Sequence, residues 1–217
     1  IAAREGGPDP DGNPRLRHAI QRAREASMPM ENIERAIKRA TGGGEAAALE
    51  EVTYEGYGPG GAAILVEALT DNRNRTVAEV RSAFTRAGGS LGESGCVAWM
   101  FEPRGVLTIE QPDRDPDELG LLAIDAGAED VRVDDGTVEV LTLPANLEAV
   151  RAALEQQGVR IAAAEVTMVP KTTLSLDEKQ AAATLRLMER LEDLDDVQRV
   201  HTNLEISEAA LQALEAR

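Results

Sequence analysis

The sequence predicts an α+β protein of three domains: an N-terminal helical domain and two ferredoxin-like α+β domains, one inserted in the other. Three observations predict it. The apolar period switches from helical to strand-like near Val52. The stretch from Gly105 to Val169 spells the order βαββαβ, the split βαβ unit. One further helix and strand then follow with no partners of their own.

Asn13-Pro14 reads as an N-cap with Pro at N1, following a Gly/Pro/Asp loop. Leu16, Ala19, Ile20 and Ala23 form the apolar stripe of a first helix. Met28-Pro29 stops it, and Ile33, Ala36, Ile37 and Ala40 carry a second helix. Thr41-Gly42-Gly43-Gly44 ends that helix and begins a linker. Residues 52–57 and 62–69 are strands joined by Gly58-Pro59-Gly60-Gly61. Residues 76–87 are a helix and 96–101 a strand. The βαββαβ set then has strands at 105–109, 129–133, 137–143 and 165–169, and helices at 117–126 and 146–157. Asp134-Asp135-Gly136 marks the turn of its central hairpin. A helix at 176–191 and a strand at 197–204 complete a second βαββαβ-like set with the middle segment. The expected domains are thus 1–46, 47–103 together with 172–217, and 104–171 inserted.

The chain has 217 residues, enough to bury a core without disulfide or metal staples. Its formal charge is −16, which excludes a protein-wide positive field for coating nucleic acid. The charge is uneven. Residues 1–44 hold eight Lys/Arg against six Asp/Glu, and 71–86 hold four Arg against two acids. An anionic partner docks best on those two islands. Aromatics at 2% argue against stacking platforms for single strands. The lone Cys96 excludes an internal disulfide and a CxxC metal site. No apolar run approaches a membrane span, and a cytosolic protein is expected.

Most candidate chemistry fails on inspection. Gly56 to Gly61 matches G-x-G-x-x-G, but an apolar strand follows where a dinucleotide site needs a helix N-terminus. Residues 71–76 have Arg at the third position and Thr where a calcium loop needs Gly. Cys96 occupies the final Gly position of a G-x-S-x-G elbow. Cys96 with His201 is the one Cys–His combination, and a small buried Cys is the commoner reading. The acidic run Glu192, Asp193, Asp195, Asp196 reads as a solvated loop. No catalytic, cofactor or metal site is therefore expected.

Two basic features remain. On the hairpin, Arg15, Arg17, Arg22 and Arg24 border the first apolar stripe, and Arg35, Lys38 and Arg39 lie on the second helix. This pair of helices has the outline of a DNA-reading helix-turn-helix, though plain packing is the stronger reading. The segment Thr70 to Thr76 crowds Asn72, Arg73, Asn74 and Arg75 around a helix N-terminus, with Arg81 further along. Arg forks, amides and free helix N–H groups suit phosphate or RNA-backbone contacts. The alternative is a capped strand-to-helix loop, with Asp71 or Asn74 as the cap.

Several long stretches resemble the YebC/PmpR family. They are Ala2 to Gly7, Asn13 to Arg17, Asn32 to Arg39, Tyr54 to Gly61, Thr70 to Arg81 and Gly88 to Gly92. The family is described as probable transcriptional regulators and includes the mitochondrial translational activator of cytochrome oxidase subunit I. The resemblance implies one helical and two α+β domains. It also implies a non-enzymatic protein of the bacterial cytoplasm, or of mitochondria for a eukaryotic member. Two departures stand out. The family usually begins with a further basic segment, so an N-terminal truncation is expected, and Met30 stands where Lys is frequent. The expected function is nucleic-acid-associated regulation of gene expression. A DNA-binding transcriptional regulator would grip promoter DNA through the hairpin, and a translation factor would contact ribosomal RNA on the ribosome. The alternative is an acidic protein–protein interaction module without direct nucleic-acid binding.

Overall fold

A computed structural model describes residues 1–41, 49–111, 113–134 and 137–205. The linker Gly42 to Gly44, the turn residues Asp135 and Gly136, and the side chain of Arg39 lie outside the described residues.

The chain opens with α1 (Ala2–Gly6), α2 (Pro14–Glu25) and α3 (Met30–Thr41). Asn13 holds the first two together. Its side-chain oxygen accepts from the Leu16 N–H at 3.1 Å, and its side-chain amide donates to the Ala2 and Gly7 carbonyls at 2.7 and 3.0 Å. One buried side chain thus caps α2 and fixes the short helix before it. Ala3, Leu16, Ile20 and Ile33 form this unit's core.

Next come β1 (Glu50–Tyr57), β2 (Ala63–Thr70), α4 (Arg73–Arg86) and β3 (Ser90–Leu91). The β1–β2 connection passes through Gly60 and Gly61 at φ 72° and 85°, a left-handed pair that side chains disfavour. The chain continues with β4 (Phe101–Glu110), α5 (Pro116–Asp125), β5 (Asp130–Asp134), β6 (Thr137–Thr142), α6 (Leu147–Gln156) and β7 (Ile161–Pro170). It closes with α7 (Glu178–Glu192) and β8 (Val197–Thr202).

The α+β class holds, with two separate antiparallel sheets. The second sheet, in the order β5-β6-β4-β7, is the split βαβ arrangement read from the sequence. Leu107, Ile109, Leu119, Val138, Val140, Val150 and Leu154 form its core under α5 and α6. The first sheet, in the order β3-β1-β2-β8, reaches a similar layout by another route. Here β1 fills the slot that the third strand of a βαββαβ unit occupies, although it comes first in the chain. Residues 96–101 were expected as the third strand of this sheet. The third strand is instead the two-residue β3; Ala98–Met100 form a 3₁₀ turn and Phe101 opens β4 in the other sheet. On one face Ile64 and Val66 of β2 meet Val80 and Phe84 of α4 and Leu187 and Leu191 of α7. On the other, Ala63 and Leu65 pack with Val97, Phe101 and Met168. Covering on both faces explains why β2 is apolar almost throughout rather than alternating.

Candidate nucleic-acid interface

The segment Thr70 to Thr76 resolves into two sets of residues. Helix α4 begins at Arg73, three residues before the start expected from the sequence, and its cap is Asn72 rather than Asp71 or Asn74. The Arg75 N–H donates to the Asn72 side-chain oxygen at 3.1 Å. Asp196, in the loop before β8, accepts from the Thr76 hydroxyl at 2.6 Å, the Thr70 hydroxyl at 3.1 Å and the Arg75 guanidinium at 2.7 Å. Thr70 and Thr76 are fully buried. The Thr76 hydroxyl and then the Arg75 guanidinium hold the Asp196 carboxyl below the usual range. Arg75 also pairs with Asp71 at 3.0 Å. These residues staple β2, α4 and the α7–β8 loop together. Asp196 is therefore a structural acceptor, which corrects the reading of its acidic run as purely solvated.

Arg73, Asn74 and Arg81 turn the other way. They line an open groove of about 360 Å³ with Val77, the β1 residues Thr53 and Tyr54, and the loop residues Gly92 and Ser94. Arg73 makes only a loose pair with Glu50 at 3.6 Å, both side chains more than half exposed. Asn74 and Arg81 are exposed and make no side-chain hydrogen bond or ion pair among the described residues.

The far wall of the groove is a loop that sequence reasoning missed. Glu55 of β1 is only 4% exposed. Its carboxylate accepts from the backbone N–H groups of Gly95, Val97 and Ala98 at 2.6, 2.8 and 2.7 Å. Burial pushes its pKa up, but those three donors outweigh it and leave it below the ordinary value. The negative charge that the groove would otherwise present to an anion is thus turned inward. The one sequence signal for this nest is the glycine-rich run Gly92 to Gly95, which supplies unpaired N–H groups.

The hairpin cations are largely engaged elsewhere. Arg15 pairs with Glu5 at 2.5 Å and with Glu51 of β1, anchoring the hairpin to the first sheet. Arg22 lines a cleft between the hairpin and the first sheet together with Arg15, Glu51, Glu67 and Arg199. Arg17 donates to the carbonyls of Pro10 and Asp11 at 3.2 and 2.8 Å. Arg24 contacts the Met30 sulfur at 3.6 Å, and Arg35 the Asn32 side chain at 3.3 Å. Lys38 is exposed beside Glu34. The groove and the hairpin cations are thus separate sets, joined through the Arg15–Glu51 pair.

The remaining motifs take structural places. Gly56 lies where a Cβ would meet the Ser90 carbonyl at 2.6 Å and the Phe84 ring at 2.7 Å. His201 on β8 faces Thr167 and Glu67 at 3.5 and 3.6 Å. Cys96 instead packs beside Gly92 and the Val97 cluster. Burial, and then the Glu55 charge, push its thiol up, away from a reactive thiolate.

The fold and groove define an α+β scaffold: a helical hairpin and two antiparallel sheets, with exposed cations mounted on one rigid helix. The chain belongs to the TACO1/YebC family. The description "TACO1/YebC protein N-terminal domain" matches residues 1–43, and "TACO1/YebC second and third domain" matches residues 49–204. It is 58% identical over 218 residues to a "probable transcriptional regulatory protein" of Moorella thermoacetica, covering 99% of this chain and 86% of that one. A protein of the same description from Herpetosiphon aurantiacus is 58% identical over 209 residues, covering 96% and 83%. The crystal structure of a conserved hypothetical protein from Aquifex aeolicus superposes with a TM-score of 0.85 at 48% identity, covering 96% of this chain and 86% of that one.

Proposed function

We propose that this chain is a non-enzymatic cytoplasmic regulator of gene expression that contacts RNA through the α4 groove, in a composite partner such as the ribosome. The observation that carries the reading is the groove itself. Arg73, Asn74 and Arg81 are exposed on one rigid helix, while Arg15, Arg17 and Arg75 are committed to internal bonds. A formal charge of −16 repels polyphosphate at long range, so a local, oriented contact fits better than coating. A ribonucleoprotein offers phosphate to the groove and basic protein to the acidic body. In this reading the discontinuous domain 47–103 with 172–217 carries the contact. The inserted domain 104–171, with fourteen acids against six bases, meets the basic protein.

The test is Arg73→Ala with Arg81→Ala, read by ribosome co-sedimentation and by titration of unpaired RNA across salt concentrations. For single strands log K falls by ~0.7 per phosphate contact for each decade of salt, so losing two contacts should flatten the slope by about 1.4. Unchanged affinity and slope, with ribosome binding intact, refute the groove. The names of the relatives support a second reading, a regulator acting on duplex DNA. It requires a clear preference for one promoter fragment, and equal affinity for random duplex refutes it. An acidic interaction module instead captures its partner after nuclease treatment and is indifferent to the double substitution.

A further inference from the structure

The chain has a single tryptophan, and the structure leaves it 66% exposed. A ring of that size is ordinarily mostly buried, because burial is where its apolar surface contributes. Trp99 is not loose. Its indole N–H donates to the Cys96 carbonyl at 3.1 Å, and the Tyr57 hydroxyl donates to that same oxygen at 3.0 Å. Tyr57 is itself 37% exposed. The Lys171 ammonium donates to the Trp99 backbone carbonyl at 2.9 Å, a further tie on this loop. The loop beneath is pinned by the fully buried Val97 and by the Glu55 carboxylate. A buried carboxylate is thus spent on holding rigid a loop whose most prominent side chain faces water.

The same loop forms the groove wall. Gly92 and Ser94 face Arg73 and Arg81, and Trp99 lies five residues beyond Ser94. Five residues span at most ~17 Å of chain. Val97 packs on the face of the first sheet opposite α4, so the loop rounds the β3 edge between the groove and the ring, and an RNA strand joining the two follows that edge.

We infer that Trp99, with Tyr57 beside it, is a stacking platform for unpaired RNA bases whose backbone runs toward the Arg73–Arg81 groove. The low aromatic content weighs against a platform by abundance, but one rigid exposed ring suffices for one or two bases. The inference deepens the RNA reading above and rests on it. Base stacking on an aromatic tolerates any base, so the platform selects for unpaired strand rather than for sequence.

The test uses the intact chain and an end-labelled unpaired RNA of about ten nucleotides, within the usual site size of such binders. Since Trp99 is the only tryptophan, its emission reports this position alone. Saturable quenching by RNA is expected, with little response to a duplex of equal charge. Trp99→Leu should weaken RNA binding by roughly five- to a hundred-fold, the range of one base stacked on one ring. Trp99→Phe should stay much closer to the parent, which separates lost stacking from a disturbed loop. Emission unchanged at saturating RNA, or Trp99→Leu binding like the parent, overturns the inference. If Arg73→Ala with Arg81→Ala weakens binding while Trp99→Leu does not, the groove stands and the platform falls. If neither weakens it, the RNA reading itself falls. Quenching by a protein partner alone, with no response to RNA, also overturns the platform.

Discussion

Removing the charge from Glu55 should unfasten the wall that carries both the groove edge and Trp99. Its carboxylate accepts three backbone N–H bonds, at 2.6, 2.8 and 2.7 Å, from a position only 4% exposed. Each hydrogen bond to a charged group contributes ~1.5–3 kcal/mol, and bonds sharing one acceptor do not add fully. In Glu55→Gln one oxygen can still serve Val97 and Ala98, but an amide N–H₂ then faces the Gly95 N–H. Donor against donor leaves both unsatisfied, for an expected loss of about 2–3 kcal/mol. Glu55→Ala strands all three donors and should cost about 3–5 kcal/mol. The sign of the pH effect follows from the lowered pKa in the folded state. Stabilisation is fully present above the unfolded value near ~4.3 and disappears as pH falls through the folded value. Urea unfolding followed by far-UV circular dichroism, with Trp99 emission as the local probe, measures it. The difference between parent and Glu55→Gln should be full at neutral pH and shrink below about pH 4. A difference under about 0.5 kcal/mol, typical of ordinary surface substitutions, or one that does not change with pH, refutes the reasoning.

Asp196→Ala should cost about 1–3 kcal/mol: the buried Thr76 hydroxyl can still turn to the Asn72 carbonyl at 3.0 Å, but the Thr70 hydroxyl loses its acceptor. Arg75→Ala, whose pairs are exposed to solvent, should change stability far less than Asp196→Ala. The Asp196 contribution is likewise present above the unfolded value near ~3.9 and fades as pH falls through the lowered folded value; acid titration of stability checks it. Asn72→Ala removes the α4 cap and should lower stability by about 1 kcal/mol in thermal melts. Gly56→Ala drives a methyl group onto the Ser90 carbonyl and the Phe84 ring, at an expected ~1–3 kcal/mol in urea unfolding. A stability equal to the parent would remove the close-packing account of that glycine.

The elements that local chemistry punctuates were legible. The apolar helical patterns at 117–126 and 146–157 and the strand runs about Asp134-Asp135-Gly136 carry the βαββαβ order, and the same kinds of pattern mark the helix at 176–191 and the strand at 197–204. Together they yielded the second sheet and the leftover helix and strand that close the first. What was not legible depends on residues far apart in the chain. Cys96 to Phe101 reads as a strand because it is apolar, yet its N–H groups belong to a carboxylate about forty positions upstream. Glu55 itself reads as one more acid in a strand, since nothing local marks which acid will be buried. Strand β3 has two residues and pairs only through Gly56 and Tyr57, too short for any period to register. The slot taken by β1 follows from pairing with β2 and β3, a choice made across the sheet.

The start of α4 shows how a shift of three residues in a helix boundary changes which cations face outward. Read as a loop up to Thr76, Arg73 and Arg75 are equivalent cations in one crowded segment. With the helix starting at Arg73, each residue turns by about 100°, so Arg73 and Arg75 stand about 200° apart. Arg75 falls on the side of Asp71 and Asp196 and is absorbed by them. Arg73, Val77 and Arg81, at four-residue steps, fall on the stripe that lines the groove. The capped-loop account describes one side of the helix, and the proposed anion contact concerns the opposite side. Asn72, Arg75 and Thr76 set the rotation of α4 against the sheet, and that rotation decides which cations face outward. A substitution at Asp196 should accordingly disturb binding only through stability and the aim of the helix. A substitution at Arg73 or Arg81 should disturb binding with stability unchanged.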